Sequence, residues 1–162
     1  MSSQSLLLVG GRSDRLALPL PDFRPGIRLL ARLARLAEQV CRSTGISLPQ
    51  YRLLVTIADG PVRASILAST LGVSRPTLTS LVDGLEHAGM LRRVPVASDR
   101  RGVRLELAEE GRRAILRAEQ VLTERFLGLF QGDTNGTLQR VSGVVADLAA
   151  ALDLEANPPV GA

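Results

Sequence analysis

The chain has no lysine, few aromatic residues, one cysteine, one histidine and no long apolar run. Aromatics make up only 2% of its 162 residues, so the core must be assembled from Leu, Val, Ile and Ala. That supply suits packed helices better than a β-sandwich, which draws on aromatic and β-branched residues. A lone cysteine, Cys41, excludes an intramolecular disulfide framework and a cysteine-rich metal site. No apolar stretch approaches the roughly 18 residues that span a bilayer. Met1 to Val9 lacks the basic start and long apolar segment of a signal peptide, so a cytoplasmic protein without membrane contact is expected. Catalytic signatures are missing too. There is no Gly-x-Ser-x-Gly, phosphate-binding loop, dinucleotide fingerprint or pair of metal-binding histidines. Gly10-Gly11 is too little for a phosphate loop, and a solitary His87 on a helix is more often solvated or structural than catalytic. Neither enzyme chemistry, a metal nor a cofactor is expected.

What is present is hydrophobic bulk and arginine. Hydrophobic residues reach 45%, enough for a folded core. All twenty basic residues are arginine, which we read as a bias of base composition. Their distribution is uneven. Residues 1–62 carry 8 Arg against 4 acids, residues 63–104 carry 7 against 3, and residues 105–162 carry 5 against 9. A basic front and an acidic rear suggest one surface that meets a polyanion and another that does not.

Along the chain, residues 1–22 read as a flexible arm punctuated by Pro19 and Pro21. A helix over about 25–43 repeats Leu29, Leu33, Leu36 and Val40, with Arg28, Arg32 and Arg35 on another side. Pro49 opens a shorter helix carrying Leu53, Leu54 and Ile57. Two long helices are expected over about 109–131 and 134–154. The first carries Ile115, Val121, Leu122, Phe126 and Leu129. The second carries Leu138, Val141, Val145, Leu148 and Leu152, and its few polar positions predict burial around much of its circumference. Residues 154–162 read as a disordered tail.

The informative segment is RASILASTLGVSRPTLTSLVDGLEHAGM, residues 63–90. Ile66, Leu67 and Leu71 mark the apolar side of a short helix. Ala68, Gly72 and Leu78 stand at helix-turn-helix spacing: a small residue where helices cross, a glycine for the left-handed turn, and an apolar anchor. Val73 packs beneath the turn. Ser74 is suited to cap the second helix and Pro76 to its first turn. Leu78, Leu81, Val82 and Leu85 form its buried stripe. The opposite face presents Pro76, Thr79, Ser80, Asp83 and His87, edged by Arg75 and Thr77. Small polar side chains near such a helix start can enter a major groove. An ordinary helical hairpin with a solvated polar face fits the spacing equally well.

The next residues add a second feature. Leu91 to Val96 reads as a strand, Val103 to Leu107 as its partner, and Ala97 to Gly102 as a polar turn with Arg100 and Arg101 at its tip. A tip arginine can enter a minor groove, while Arg92, Arg93 and Arg104 can reach phosphates. Asp99 suits orienting a neighbouring arginine, because phosphate repels a carboxylate. A solvated charged hairpin is the alternative.

On LAST-LGVSRPTLTSLVDGLEHAGMLRR and the following Asp99-Arg100-Arg101, the sequence resembles the MarR family of transcriptional regulators, over about residues 24–153. The resemblance implies a mainly α fold with a small β-hairpin wing: a winged helix-turn-helix over about 48–107, and dimerisation helices over about 25–43 and 109–153, within a domain spanning 23–153. It implies sequence-specific binding of a pseudo-palindromic double-stranded operator, as a ligand-responsive repressor. Ser74, Arg75, Pro76, Thr77, Thr79, Ser80, Arg92, Arg100, Arg101 and Arg104 would meet DNA. Asp99 would support the wing arginine, Arg101. The implied homodimer interlocks the first and last two helices, enlisting Leu29, Leu33, Leu36, Phe126, Leu129, Val141, Val145 and Leu148. Half-sites would lie about 10 base pairs apart.

One departure is that Ala108 stands where the family usually caps its fifth helix with Thr or Ser. Many members respond to small aromatic ligands, for which Tyr51, Arg52 and the first-helix arginines are possible contacts, equally readable as surface or core. Others sense peroxide through a cysteine near the start of the first helix, roughly where Phe23 lies; Cys41 sits near its end and reads better as an inert thiol. A cysteine-based redox regulator, and a winged helix serving nonspecific DNA or protein binding, are the alternatives.

Overall fold

The computed structural model describes residues 22–60, 62–96 and 99–156. The expected arm, apart from Asp22, and the tail beyond Ala156 lie outside the described residues. In chain order the elements are α1 (Arg24–Ser43), α2 (Leu48–Ala58), β1 (Val62–Arg63), α3 (Ala64–Leu71), α4 (Arg75–His87), β2 (Leu91–Val96), β3 (Asp99–Leu107), α5 (Glu109–Gly128) and α6 (Thr137–Ala156). The strands form one antiparallel sheet in the order β1-β3-β2.

Local chemistry explains most of the boundaries. Pro25 stands in the first turn of α1, and Gly45, at φ +89, lets the chain leave that helix. Ser47 and Gln50 form a reciprocal capping box at α2. The Ser47 hydroxyl accepts the Gln50 amide, and the Gln50 side-chain oxygen accepts the Ser47 amide. Nothing caps α5 from the side chain of Ala108, as the sequence implies. Its start is held instead by Glu109 and Glu110 against the positive helix end, and by the Ala108 amide donating to the Met90 carbonyl at 3.0 Å.

The core is aliphatic. Leu53 and Leu54 of α2, Leu67 of α3, Leu85 of α4 and Leu105 of β3 are fully enclosed, joined by Ala114 and Ala118 of α5. Each such leucine contributes about 1.5–3 kcal/mol through burial. The core therefore lies among α2, α3, α4, the sheet and the first half of α5.

Four expectations change. β1 was not foreseen, because two residues carry no periodic signal. Ile66, expected on the apolar side of α3, is 52% exposed, leaving Leu67 and Leu71 to seat that helix. The expected polar turn is shorter, since β3 already includes Asp99 to Gly102. And α6, expected to bury much of its circumference, leaves Val144, Val145, Leu148 and Leu152 more than half exposed, because no other element among the described residues packs over them. This last helix also runs to Ala156, through the start of the expected tail. Among the described residues no helix is long and apolar enough to cross a membrane.

Gly111 is the tightest point. A Cβ there would stand 2.2 Å from the Met90 carbonyl oxygen and 2.7 Å from a Leu107 methyl. The oxygen is backbone, and already holds the Ala108 amide, so it has little freedom to retreat. Gly111→Ala is therefore expected to destabilise by about 1–3 kcal/mol as an overpacked contact. Gly84→Ala provides the contrast: it is a helical position whose nearest foreign atom lies at 3.9 Å. That substitution should stabilise by about 0.5–1 kcal/mol through helix propensity. Thermal unfolding of the two variants beside the parent checks both signs.

Candidate nucleic-acid interface

The turn between α3 and α4 is built as its residues demand. Gly72 adopts φ +65, and its amide donates to the Ser69 carbonyl at 3.1 Å. The Val73 amide donates to the Ala68 carbonyl at 3.0 Å, closing the end of α3 in the left-handed cap that glycine permits. Val73 is half-buried against the core, beneath the turn. Ser74 then caps α4, its hydroxyl accepting the Thr77 amide at 3.2 Å and sharing a 2.8 Å hydrogen bond with the Thr77 hydroxyl. Leu78, Val82 and Leu85 are buried and Leu81 partly so, which fixes the helix face left outside.

That outer face carries Arg75, Pro76, Thr77, Thr79, Ser80, Asp83 and His87, all exposed. The hydroxyls are not equivalent. Those of Ser74 and Thr77 are engaged in the cap, whereas Thr79 donates to the Arg75 carbonyl at 3.1 Å and keeps its oxygen as an acceptor. Arg75 and Thr79 edge a groove of about 290 Å³ between α4 and the sheet, floored by Leu78, Val82 and Leu105.

The wing strands pair in regular register from Leu91 opposite Leu107 to Pro95 opposite Val103. The register then jumps, with Val96 opposite Asp99, so that Arg100, Arg101 and Gly102 face no β2 residue. The backbone thus sets the two expected tip arginines on an irregular stretch of β3. The side chains of Asp99, Arg100 and Arg101 lie outside the described residues, as do Ala97 and Ser98 entirely; the support expected of Asp99 is among the roles this leaves undescribed.

At the base of the wing the arginines are spoken for. Arg92 donates twice to one Glu106 oxygen, at 3.1 and 2.9 Å, while Arg104 donates to the other at 2.7 Å. Arg104 and Arg92 hold the Glu106 carboxyl below the usual carboxylate range. Arg93, also expected near phosphate, turns instead to α4 and binds Asp83 and Glu86. Sequence reading missed these partners because they arise from strand register and a crossing between elements. A polar recess of about 340 Å³, beside the end of α2, is lined by Arg92, Arg104, Glu106 and Arg112.

The remaining candidates sit away from this face. Of the expected dimerisation residues, Leu29, Leu129, Val145 and Leu148 are exposed, and Leu33, Leu36, Phe126 and Val141 are half-buried. Leu33, Leu36 and Phe126 line an apolar cleft of about 360 Å³ between α1 and α5. Tyr51 donates to Glu119 of α5 at 3.2 Å; burial and the Glu119 charge push its phenol up to about 12. Cys41 is fully enclosed, and burial pushes its thiol up.

Comparison with known proteins gives this geometry a context. A model of the MarR family matches residues 44–102. The HTH-type transcriptional regulator PecS of Dickeya dadantii (strain 3937) is 35% identical over 97 residues, which are 56% of this chain and 58% of that protein. The match thus spans little more than half the length of that relative. Among solved structures, a mutant of MarR from E. coli aligns with a TM-score of 0.70 at 20% identity, over 80% of this chain and 97% of that one. The transcriptional repressor CouR, bound to a 23-mer DNA duplex, aligns with a TM-score of 0.62 at 24% identity, over 77% and 89% of the two chains.

A short helix, a glycine turn, an outward-facing second helix and an arginine-bearing hairpin define a winged helix-turn-helix protein. Over residues 44–102, which hold the helix-turn-helix and the first wing strand, the chain is similar to the MarR family.

The cap at Ser74 sets the start of the outward helix, so its loss should be felt both in stability and in presentation of that helix. Ser74→Ala is expected to cost about 1 kcal/mol. Ser74→Asp, which restores an acceptor, should recover most of it in urea unfolding.

Proposed function

We propose that this protein is a sequence-specific double-stranded DNA-binding transcriptional regulator, acting in the cytoplasm as a homodimeric repressor on a pseudo-palindromic operator. The observation that carries the reading is the outer face of α4. Arg75, Thr79 and Ser80 stand exposed on a helix fixed from behind by Leu78, Val82 and Leu85, beside an arginine-bearing wing. Residues near such a helix start read base edges, and a tip arginine suits a narrow minor groove. We assign base and backbone contacts to Ser74, Arg75, Pro76, Thr77, Thr79 and Ser80, and wing contacts to Arg100 and Arg101 with Asp99 in support. Arg92 and Arg104 contribute the one net positive charge they share with Glu106. The family match and the DNA-bound fold of CouR support the assignment.

A homodimer is favoured by the apolar side chains that α1, α5 and α6 leave uncovered. Leu29, Leu129, Val145 and Leu148 are each more than half exposed, and apolar side chains left uncovered in such number mark interfaces. The cleft lined by Leu33, Leu36 and Phe126 has the lining and volume of a small-ligand site, and we place a small aromatic effector there. No redox role is proposed, because a reactive cysteine needs an accessible thiolate and Cys41 is enclosed with its thiol pushed up.

A gel shift against the DNA upstream of its own gene, titrated in salt, tests the regulator. A discrete nanomolar complex is expected, its affinity falling steeply with salt as several phosphate contacts release counterions. Arg101→Ala should weaken it while leaving the dimer intact; undiminished binding at physiological salt would remove the wing from the site. No specific complex there, followed by no preferred sequence in a selection from random DNA, would leave a nonspecific or protein-binding winged helix.

Sedimentation tests the assembly. The parent should run at twice the chain mass, and Leu148→Asp should shift it toward the monomer with a parallel loss of operator affinity. A parent that sediments as a monomer at micromolar concentration would sink the dimer.

A further inference from the structure

The sequence offers Arg93 as one more cation for phosphate. Its surroundings say otherwise. One terminal nitrogen donates to Asp83 at 2.5 Å and the other to Glu86, while its backbone amide donates to the second Glu86 oxygen at 3.2 Å. Asp83 and Glu86 lie three apart on α4, hence on one side of that helix. Arg93 lies on β2, opposite Leu105 of β3. The guanidinium fork therefore ties the outward helix to the wing by three hydrogen bonds, and the trio carries a net charge of −1.

The location gives this tie its meaning. Arg93 edges the same groove as Arg75 and Thr79, two of the residues assigned to DNA. Asp83 stands one helical turn beyond Thr79 on the exposed face, where an unmatched carboxylate would oppose a phosphate. A helix in one groove and a hairpin reaching the next need a fixed separation, and groove contacts tolerate little misplacement.

Resting on the proposed function, we infer that Arg93 is a positioning residue: it sets the spacing of recognition helix and wing, and offsets one of the two negative charges of Asp83 and Glu86 beside the DNA face, without itself touching phosphate. The sites it acts through are Arg75 and Thr79 on α4 and the arginines of the wing.

A charge exchange separates this role from a phosphate contact. Operator affinity and its salt dependence are measured for the parent, Arg93→Glu, and Arg93→Glu combined with Glu86→Arg. The exchanged pair keeps the parent's net charge, and an arginine at 86 can still reach Asp83 three positions away. Arg93→Glu should weaken binding by about tenfold or more, as loss of a charge-assisted pair implies. The exchange should recover most of that loss with the parent's salt slope. If instead the exchanged protein, folded by circular dichroism, binds as weakly as Arg93→Glu with a slope shallower by about 0.9, Arg93 contacts phosphate and the inference is overturned.

Hydrogen exchange at the β2 amides supplies a readout that needs no DNA. The single variant should lose protection there and the exchanged pair regain it; unchanged protection in both would overturn the clamp. A parent that binds no DNA while β2 follows this pattern would overturn the proposed function and the role in reading, but leave the clamp standing.

Discussion

The carbonyl of Met90 is the point on which the arrangement turns. It closes the short path from α4 into β2, and it accepts the amide of Ala108, one residue before α5 begins. Gly111, in the first turn of α5, has no room for a side chain against the same oxygen. The end of the outward helix, the base of the wing and the start of the long helix therefore share one backbone atom. Because a backbone amide meets a backbone carbonyl there, the joint depends on close approach more than on side-chain chemistry. It also supplies the anchorage that a capping hydroxyl would give elsewhere, which explains how α5 starts cleanly behind Ala108.

From that joint the charges divide into two local settlements. Behind the wing, Glu106 stands between Arg92 and Arg104; in front, Arg93 stands between Asp83 and Glu86. The first trio retains one positive charge and the second one negative charge. Counting the arginines of this region as a uniform cationic surface therefore overstates what a phosphate would meet at the wing base. Under the proposed function, the cations left for DNA are Arg75 at the start of α4 and the arginines of the irregular stretch bearing Arg100 and Arg101. That placement agrees with a protein that orients by a helix start and a hairpin tip, the two places where positive potential can enter grooves.

Much of this was legible in the sequence because it depends on local rules. Gly72, Ser74 and Pro76 each act within a turn of their own position, and the stripe Leu78, Val82, Leu85 follows from helical periodicity alone. The hairpin strands were readable from alternation at Val103 to Leu107. The Ser47–Gln50 capping box also follows a local spacing, Ser-x-x-Gln ahead of a helix. By contrast, β1 is two residues long and exists only through its pairing with Leu105 and Arg104. The partners of Arg92, Arg93 and Arg104 depend on cross-strand register and on how β2 passes α4, neither of which leaves a mark in spacing. Ile66 shows the same limit: consecutive positions stand about 100° apart on a helix, so Leu67 is buried while Ile66 is exposed, and only packing decides which.

The long helices pose a different problem, for their patterns describe surfaces that one chain does not use up. In α1 only Val40 and Cys41 are buried, both in its last turns, where the helix meets α2 and α5. Toward its start, Ile27, Leu29 and Leu30 are exposed, and α6 repeats this along Val144, Val145, Leu148 and Leu152. Spacing that is regular enough to predict burial, combined with exposure among the described residues, marks the surface that the proposed homodimer would cover. The link from those helices to the reading surface runs through Tyr51, whose hydroxyl on α2 holds Glu119 on α5. Because α2 also packs against α3 and α4, a change in how α1 and α5 are covered has a short mechanical route to the outward helix. Under the proposed function, a ligand or partner that separated Tyr51 from Glu119 would break the hydrogen bond joining α2 to α5, at a net cost of about 1 kcal/mol, and that cost is the lever by which covering one end of the molecule biases the geometry of the other.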